Sequence, residues 1–182
     1  MTTVELGWAD RARLKRAVVA YYEFVWRVLR RLGLSQDEAD DATQETFAVL
    51  ASKIGTVGPG AEKSYLFNTA SRLAANARRR RSRLPAPAAE GEVDAHPDSR
   101  PTPESLVDTN ERWRLLDVLL ARLPDELRAA FILVELETAT LSEAASMLGI
   151  PQGTVASRLR RARAQLLAWM QDPSSEPTRY EP

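Results

Sequence analysis

The chain contains no cysteine, which excludes disulfides, thiolate metal ligands and a cysteine nucleophile and suits a reducing compartment. Histidine is nearly absent as well. The single residue, His96, stands in a proline-rich stretch, no glycine-rich phosphate loop occurs, and the adjacent carboxylates Asp40 and Asp41 would point in different directions on a helix. No catalytic constellation, metal site or cofactor is therefore expected. Long apolar runs are missing too. The longest, Ala129 to Val134, is far below the roughly 20 residues needed to cross a bilayer, and the charged N-terminus lacks the apolar core of a signal peptide. These absences predict a cytoplasmic protein with no membrane segment of its own. Strand-like alternation is also lacking, so the fold is expected to be all-α. Net charge is zero, with 25 basic and 25 acidic side chains, so any nucleic-acid reading must rest on where the charges sit.

The charges are segregated. Residues 71–83 hold six arginines (Arg72, Arg78, Arg79, Arg80, Arg81 and Arg83) and no acid, whereas residues 85–105 hold five acids against Arg100 alone. The second stretch also has five prolines and almost no large apolar side chain, so it cannot bury enough surface to offset the entropy of ordering. It reads as a flexible acidic linker, 85–105, between two small helical domains, 8–84 and 106–171, with a disordered tail over 172–182. As a flexible coil the linker averages roughly 25 Å end to end.

In the first domain Leu14, Val18, Tyr21, Tyr22, Val25, Leu29 and Leu32 make an amphipathic stripe that Gly33 ends. Ser35-Gln36-Asp37-Glu38 is a capping box opening a helix from about Gln36 to Lys53. Its buried face would hold Ala39, Ala42, Thr46, Val49 and Leu50, leaving Asp37, Asp41, Gln44 and Glu45 turned to solvent or a partner. A loop with Gly55, Gly58, Pro59 and Gly60 leads to a third helix, roughly Glu62 to Arg81. In the second domain a leucine-rich helix ends at Pro124, which opens another running to about Glu137. Thr140-Leu141-Ser142-Glu143 is a second capping box, its short helix closed by Gly149, and a final helix runs from about Gln152 to Met170.

Two stretches carry functional information. The short helix, the glycine-centred turn and the last helix form a helix-turn-helix pattern. Val155, Leu159, Ala162 and Leu166 would pack on Leu141, Ala145 and Leu148, leaving Thr154, Ser157, Arg158, Arg161 and Gln165 outward, with Gln152 and Gly153 at the helix start. Arginines and small polar groups there suit a major groove, and Gly153 would let backbone approach backbone; a capped surface helix with solvated arginines is the alternative. In the third helix Tyr65, Phe67, Asn68, Ser71 and Asn76 are interleaved with arginines. Such a mixture can stack on unpaired bases and bond their edges, although Tyr65 and Phe67 equally suit a core.

With those residues in view, the string "LPDELRAAFILVELETATLSEAASMLGIPQGTVASRLRRARAQL" resembles region 4, the promoter-binding domain of extracytoplasmic-function sigma factors. "DEADDATQETF" and "KSYLFNTASRLAANARRRRSR" resemble the polymerase-docking and minus-10-reading helices of their region 2. The resemblance spans about residues 14–170. It implies docking of Asp37, Asp41, Gln44 and Glu45 on the clamp helices of the largest subunit of core RNA polymerase, with Phe47 either an interface anchor or, the favoured reading, a core residue beneath. It implies minus-10 contacts from Tyr65, Asn68, Ser71, Arg72, Asn76 and Arg79, with the Ile54–Ala61 loop as one wall of a pocket for a flipped base. Minus-35 contacts would come from Gln152, Gly153, Thr154, Ser157, Arg158 and Arg161. Partners would be core polymerase, promoter DNA and an anti-sigma factor. The family commonly has Trp at Tyr65 and asparagine at Arg72, and a larger aliphatic residue at Ala144. A one-component helix-turn-helix regulator, binding DNA without replacing the sigma subunit, is the competing expectation.

Overall fold

The computed structural model describes residues 7–83, 113 and 115–172, and no strand occurs among them. The linker expected over 85–105, the start of the second domain before Trp113 and the tail from residue 173 lie outside the described residues. The helices are α1 (Trp8–Arg31), α2 (Gln36–Lys53), α3 (Glu62–Arg83), α4 (115–122), α5 (Asp125–Phe131), α6 (Leu141–Leu148) and α7 (Gln152–Gln171). None of those described is long and apolar enough to cross a membrane.

Local chemistry sets the boundaries. Ser35 Oγ accepts from the Glu38 amide at 3.3 Å while Glu38 accepts from the Ser35 amide at 2.9 Å, so the capping box forms at α2. Thr140 and Glu143 repeat it at α6. Gly149 takes the left-handed conformation, φ 66°, that ends α6 and sets the turn into α7. The helix expected to run from Pro124 to about Glu137 is α-helical only to Phe131, and Ile132–Leu136 form a π turn. The Glu137 amide reaches back to the Ile132 carbonyl at 2.9 Å. The wider turn leaves Ile132 and Leu133 both fully buried and brings Glu137 beside α1.

The stripe of α1 is deeper at its C-terminal end than its periodicity implied. Val25 and Leu29 are fully buried and Leu32 nearly so, but Tyr22 is exposed, stacked on Phe47 with ring centroids 6.2 Å apart. On α2, Ala39, Ala42, Thr46 and Leu50 are buried and Val49 only partly. Phe47 is a core residue, as expected. The arginine run is divided in use. Arg78 donates to the Leu32 carbonyl at 2.6 Å and Arg81 to that of Gly33 at 3.3 Å, so these two close the α1–α2 corner. Arg72, Arg79 and Arg80 face outward.

The two halves do not keep separate cores. One buried cluster runs from α1, α2 and α3 into the π turn, α6 and Val155, and a smaller one joins α4, α5 and α7 around Leu120, Leu166 and Trp169. Within the second cluster Arg128 is buried and donates to the Ala121 and Leu123 carbonyls, both at 2.7 Å, satisfying the end of α4. Burial pushes its pKa down to about 10, with Arg78 adding to the effect and Asp125 opposing it.

Thr138, after the π turn, sits at φ 53°, a left-handed conformation disfavoured for a β-branched residue. Thr138→Gly should therefore stabilise the fold by about 1 kcal/mol, the relief of strain exceeding the added freedom of the unfolded chain. A higher urea midpoint at unchanged slope would show it.

Candidate nucleic-acid interface

Three faces carry the residues singled out in the sequence. On α2, Asp37, Asp41, Gln44 and Glu45 are all exposed, while Asp40 turns the other way and accepts from the Trp26 indole at 2.6 Å. The outer face is thus acidic and amide-bearing, over the buried Thr43, Thr46 and Phe47.

On α3, Tyr65, Asn68, Arg72, Asn76 and Arg79 recur at steps of three and four, one stripe of a helix. Arg72, Asn76 and Arg79 are exposed, and Arg79 donates to the Asn76 side chain at 2.8 Å. Tyr65 is half-buried at the margin of the core, and Phe67 is core outright, tilted on Phe24. Asn68 does not point freely outward: its amide donates to the Met147 carbonyl of α6 at 2.9 Å. Ser71, one turn on, is half-buried, and its hydroxyl is buried with no hydrogen-bond partner among the described residues.

The loop before α3 is held by a residue that sequence reasoning passed over. Arg13 of α1 donates to the carbonyls of Ile54 at 3.2 Å and Val57 at 2.8 Å, and through two nitrogens to Glu62 Oε1 at 3.0 and 2.6 Å. A cavity of about 290 Å³ opens beside the loop, lined by Arg13, Arg16, Tyr21, Pro59, Gly60 and Glu62. Arg13 is one of many arginines in the chain, and nothing in its spacing marks it; only the return of the chain past α1 does.

On α7, Val155, Leu159, Ala162 and Leu166 are buried as the helix-turn-helix pattern required. Under them α6 buries Ala144 and Met147, and Leu141, Ala145 and Leu148 are only partly covered. The reason is that α6 is sandwiched, meeting α7 on one side and α3 on the other. Gln152 and Gly153 are exposed, and Thr154, Ser157, Arg158 and Arg161 half-buried, with Arg158 4.0 Å from Glu126. Gln165, expected on the outward face, is instead buried, because it lies beside Leu166 and Trp169 where α4 and α5 cover the helix. A side chain built at Gly153 would meet nothing of this chain within 4 Å, so the open approach there serves no internal packing.

Two sequence families match, "Sigma-70 region 2" over residues 17–84 and "Sigma-70, region 4" over residues 113–166. The chain is 34% identical over 152 residues to the ECF RNA polymerase sigma factor SigE of Mycolicibacterium smegmatis, covering 84% of this chain and 59% of that protein. It is 30% identical over 168 residues to the ECF RNA polymerase sigma factor SigC of Mycobacterium tuberculosis, covering 85% and 82% respectively. Its fold is shared with the sigma factor RpoE solved in complex with the anti-sigma factor NepR from Bartonella quintana, at TM-score 0.62 and 21% identity over 87% of this chain and 96% of that one. CnrH, solved in complex with the cytosolic domain of CnrY, gives 0.61 and 19% over 91% of each. The chain belongs to the extracytoplasmic-function family of bacterial RNA polymerase sigma factors, whose members direct the polymerase to promoters and start transcription. Nothing in these likenesses favours a one-component regulator.

Burial pushes the Glu62 carboxyl up, but the hydrogen bond from Arg13, the amides at the start of α3 and the Arg13 charge outweigh it and hold its pKa below the ordinary 4.5. The folded value is depressed, so the stabilisation is present above about pH 4.5 and is lost as pH falls through the folded value. Amide signals of Ile54–Ala61 should therefore broaden under acid before the helices melt. Arg13→Lys, which cannot form the same fork, should cost about 1–3 kcal/mol in denaturant titrations at neutral pH.

Proposed function

We propose that this sigma factor divides promoter reading between α3 and α7. The single observation that carries the reading is that one all-helical chain holds both an amide- and arginine-bearing α3 beside a walled cavity and a capped helix-turn-helix with an open helix start. Residues 8–84 would dock on the clamp helices of the polymerase through Asp37, Asp41, Gln44 and Glu45, whose acidic outer face suits a basic or amide-rich partner. Unstacking a base costs a few kcal/mol, and a pocket that stacks it while flanking arginines hold phosphates offsets that cost. The Ile54–Ala61 loop, Asn68, Ser71 and Asn76 would take the extruded minus-10 base, with Tyr65 at the margin and Arg72 and Arg79 on the backbone.

Residues 106–171 would read the minus-35 element. Gln152, Gly153 and Thr154 lie at the first turn of α7, where backbone amides favour phosphate, and Ser157, Arg158 and Arg161 would reach the groove. The 85–105 segment would separate the two domains on DNA, followed after residue 171 by the tail. The reading needs no catalysis and no cofactor, and it places the protein in the cytoplasm with the polymerase. The likeness to RpoE and CnrH, solved with NepR and with the cytosolic domain of CnrY, supports an anti-sigma factor as a further partner of this chain.

Run-off transcription with purified core polymerase on a genomic promoter library tests the whole reading. Arg158→Ala or Arg161→Ala should cost about 1–3 kcal/mol at one minus-35 base pair if the contact is to a base, and weaken all promoters alike if it is to a phosphate. Asp41→Arg should abolish polymerase binding, and a pre-melted template should not rescue it. Wild-type transcription by all three variants would overturn the assignment.

A further inference from the structure

We propose that Arg16 of α1 sets which base the minus-10 pocket accepts: its guanidinium reads the edge of the extruded base in the cavity between α1 and the Ile54–Ala61 loop, and selects a base with two adjacent hydrogen-bond acceptors. The inference deepens the reading of that loop as a pocket wall and rests on it. The cavity, about 290 Å³, has one wall from α1, with Arg13, Arg16 and Tyr21, and another from the loop and the start of α3, with Pro59, Gly60 and Glu62. Its two arginines stand three residues apart on α1 and so share a face, but they are used differently. Arg13 is committed within the chain. It donates to the Ile54 and Val57 carbonyls and to Glu62, and Asp10 lies 3.9 Å away, so its donors and its charge are both answered. Arg16 is exposed, with no hydrogen bond or ion pair among the described residues. An exposed arginine is ordinarily a solvated one; this one lines a cavity, and its charge there is not balanced within the chain.

What the cavity still offers a guest decides what the guest is. Glu62 is already occupied, taking Arg13 through Oε1 and the amides at the start of α3. The donors of Arg16 remain, together with the ring of Tyr21 on one wall and Pro59 on the other. A guanidinium presents two parallel N–H groups in a rigid fork. Guanine sets O6 beside N7, and cytosine O2 beside N3, whereas adenine places an amino donor beside its acceptor and the acceptors of thymine are separated by an N–H. The fork therefore matches guanine or cytosine and mismatches the other two. Stacking on Tyr21 is indifferent to base identity, and Gly60 has no side chain with which to discriminate, so the choice falls to Arg16. Because the Arg13 bonds hold the loop against α1, cavity and fork keep their relation before the base arrives, which spares the cost of ordering them on binding.

The test uses the full chain with core polymerase on otherwise identical promoters in which every minus-10 position carries each of the four bases in turn, read by run-off transcription and by competition for a fork-junction template. The wild type should prefer guanine or cytosine at one position by about tenfold or more, the discrimination of one bidentate base contact. Arg16→Gln is the decisive variant, because a glutamine amide sets an acceptor beside a donor and matches adenine; the preference at that position, and at no other, should pass to adenine. Arg16→Lys keeps the charge without the fork and should flatten the preference there. Arg16 is exposed, so these substitutions leave the core intact. A wild type that favours adenine or thymine at every minus-10 position overturns the assignment, as do wild-type preferences retained at every position by both variants. Equal weakening on all four bases in Arg16→Ala, with no switch in Arg16→Gln, places the guanidinium on a phosphate and overturns it too. Preferences that also survive replacement of Gly58-Pro59-Gly60 and Asn76→Ala would trace the failure to the reading of the loop and α3 instead.

Discussion

A helical unit much smaller than a hundred residues has too little interior to bury its apolar surface well, and this constraint shapes the molecule. Among the described residues, three helices on one side and four on the other each leave an unfinished face. The chain resolves this by letting α6 serve two neighbours, α7 within its own helix-turn-helix and α3 across the junction. Ala144 and Met147 are buried as a result, and the first-half core continues through Ile132 and Leu133 to Val155. A residue as small as Ala144 fits a helix that must approach on two sides.

The same sandwich explains the backbone between α5 and α6. An uninterrupted α-helix would rotate successive core residues away, whereas the π turn keeps Ile132 and Leu133 inward and delivers Glu137 to Arg27. The left-handed Thr138 then redirects the chain into the capping box at Thr140. Strain is concentrated within a few residues, beside the ion pair that joins the halves.

Arginine is used here for two opposed purposes. Arg13, Arg78, Arg81 and Arg128 satisfy carbonyls where helices end or loops turn, the fork geometry bonding several acceptors at once. Arg72, Arg79, Arg80 and the α7 arginines remain partly or wholly outward. A zero net charge therefore hides a surface with two runs of outward arginines, one at the end of the first half and one in the second, beside the exposed Arg11 and Arg16 of α1.

Much was legible in the sequence because it depends on neighbours along the chain. Helix periodicity, both capping boxes, the glycine that ends α6 and the outward setting of Asp37, Asp41, Gln44 and Glu45 follow from spacing, since side chains three or four apart share a face whatever the helix later packs on. The buried stripe of α7 followed for the same reason, as did the all-helical class. Tertiary structure alone decided what a given face meets. Gln165 looked outward by angle and is covered by α4 and α5; Asn68 looked free and is tied to α6; Arg13 carried no local signal and organises the loop from a distant turn of α1. Spacing determines direction relative to a helix axis, but burial depends on which axes come together, and that is a property of contacts between residues far apart in the chain.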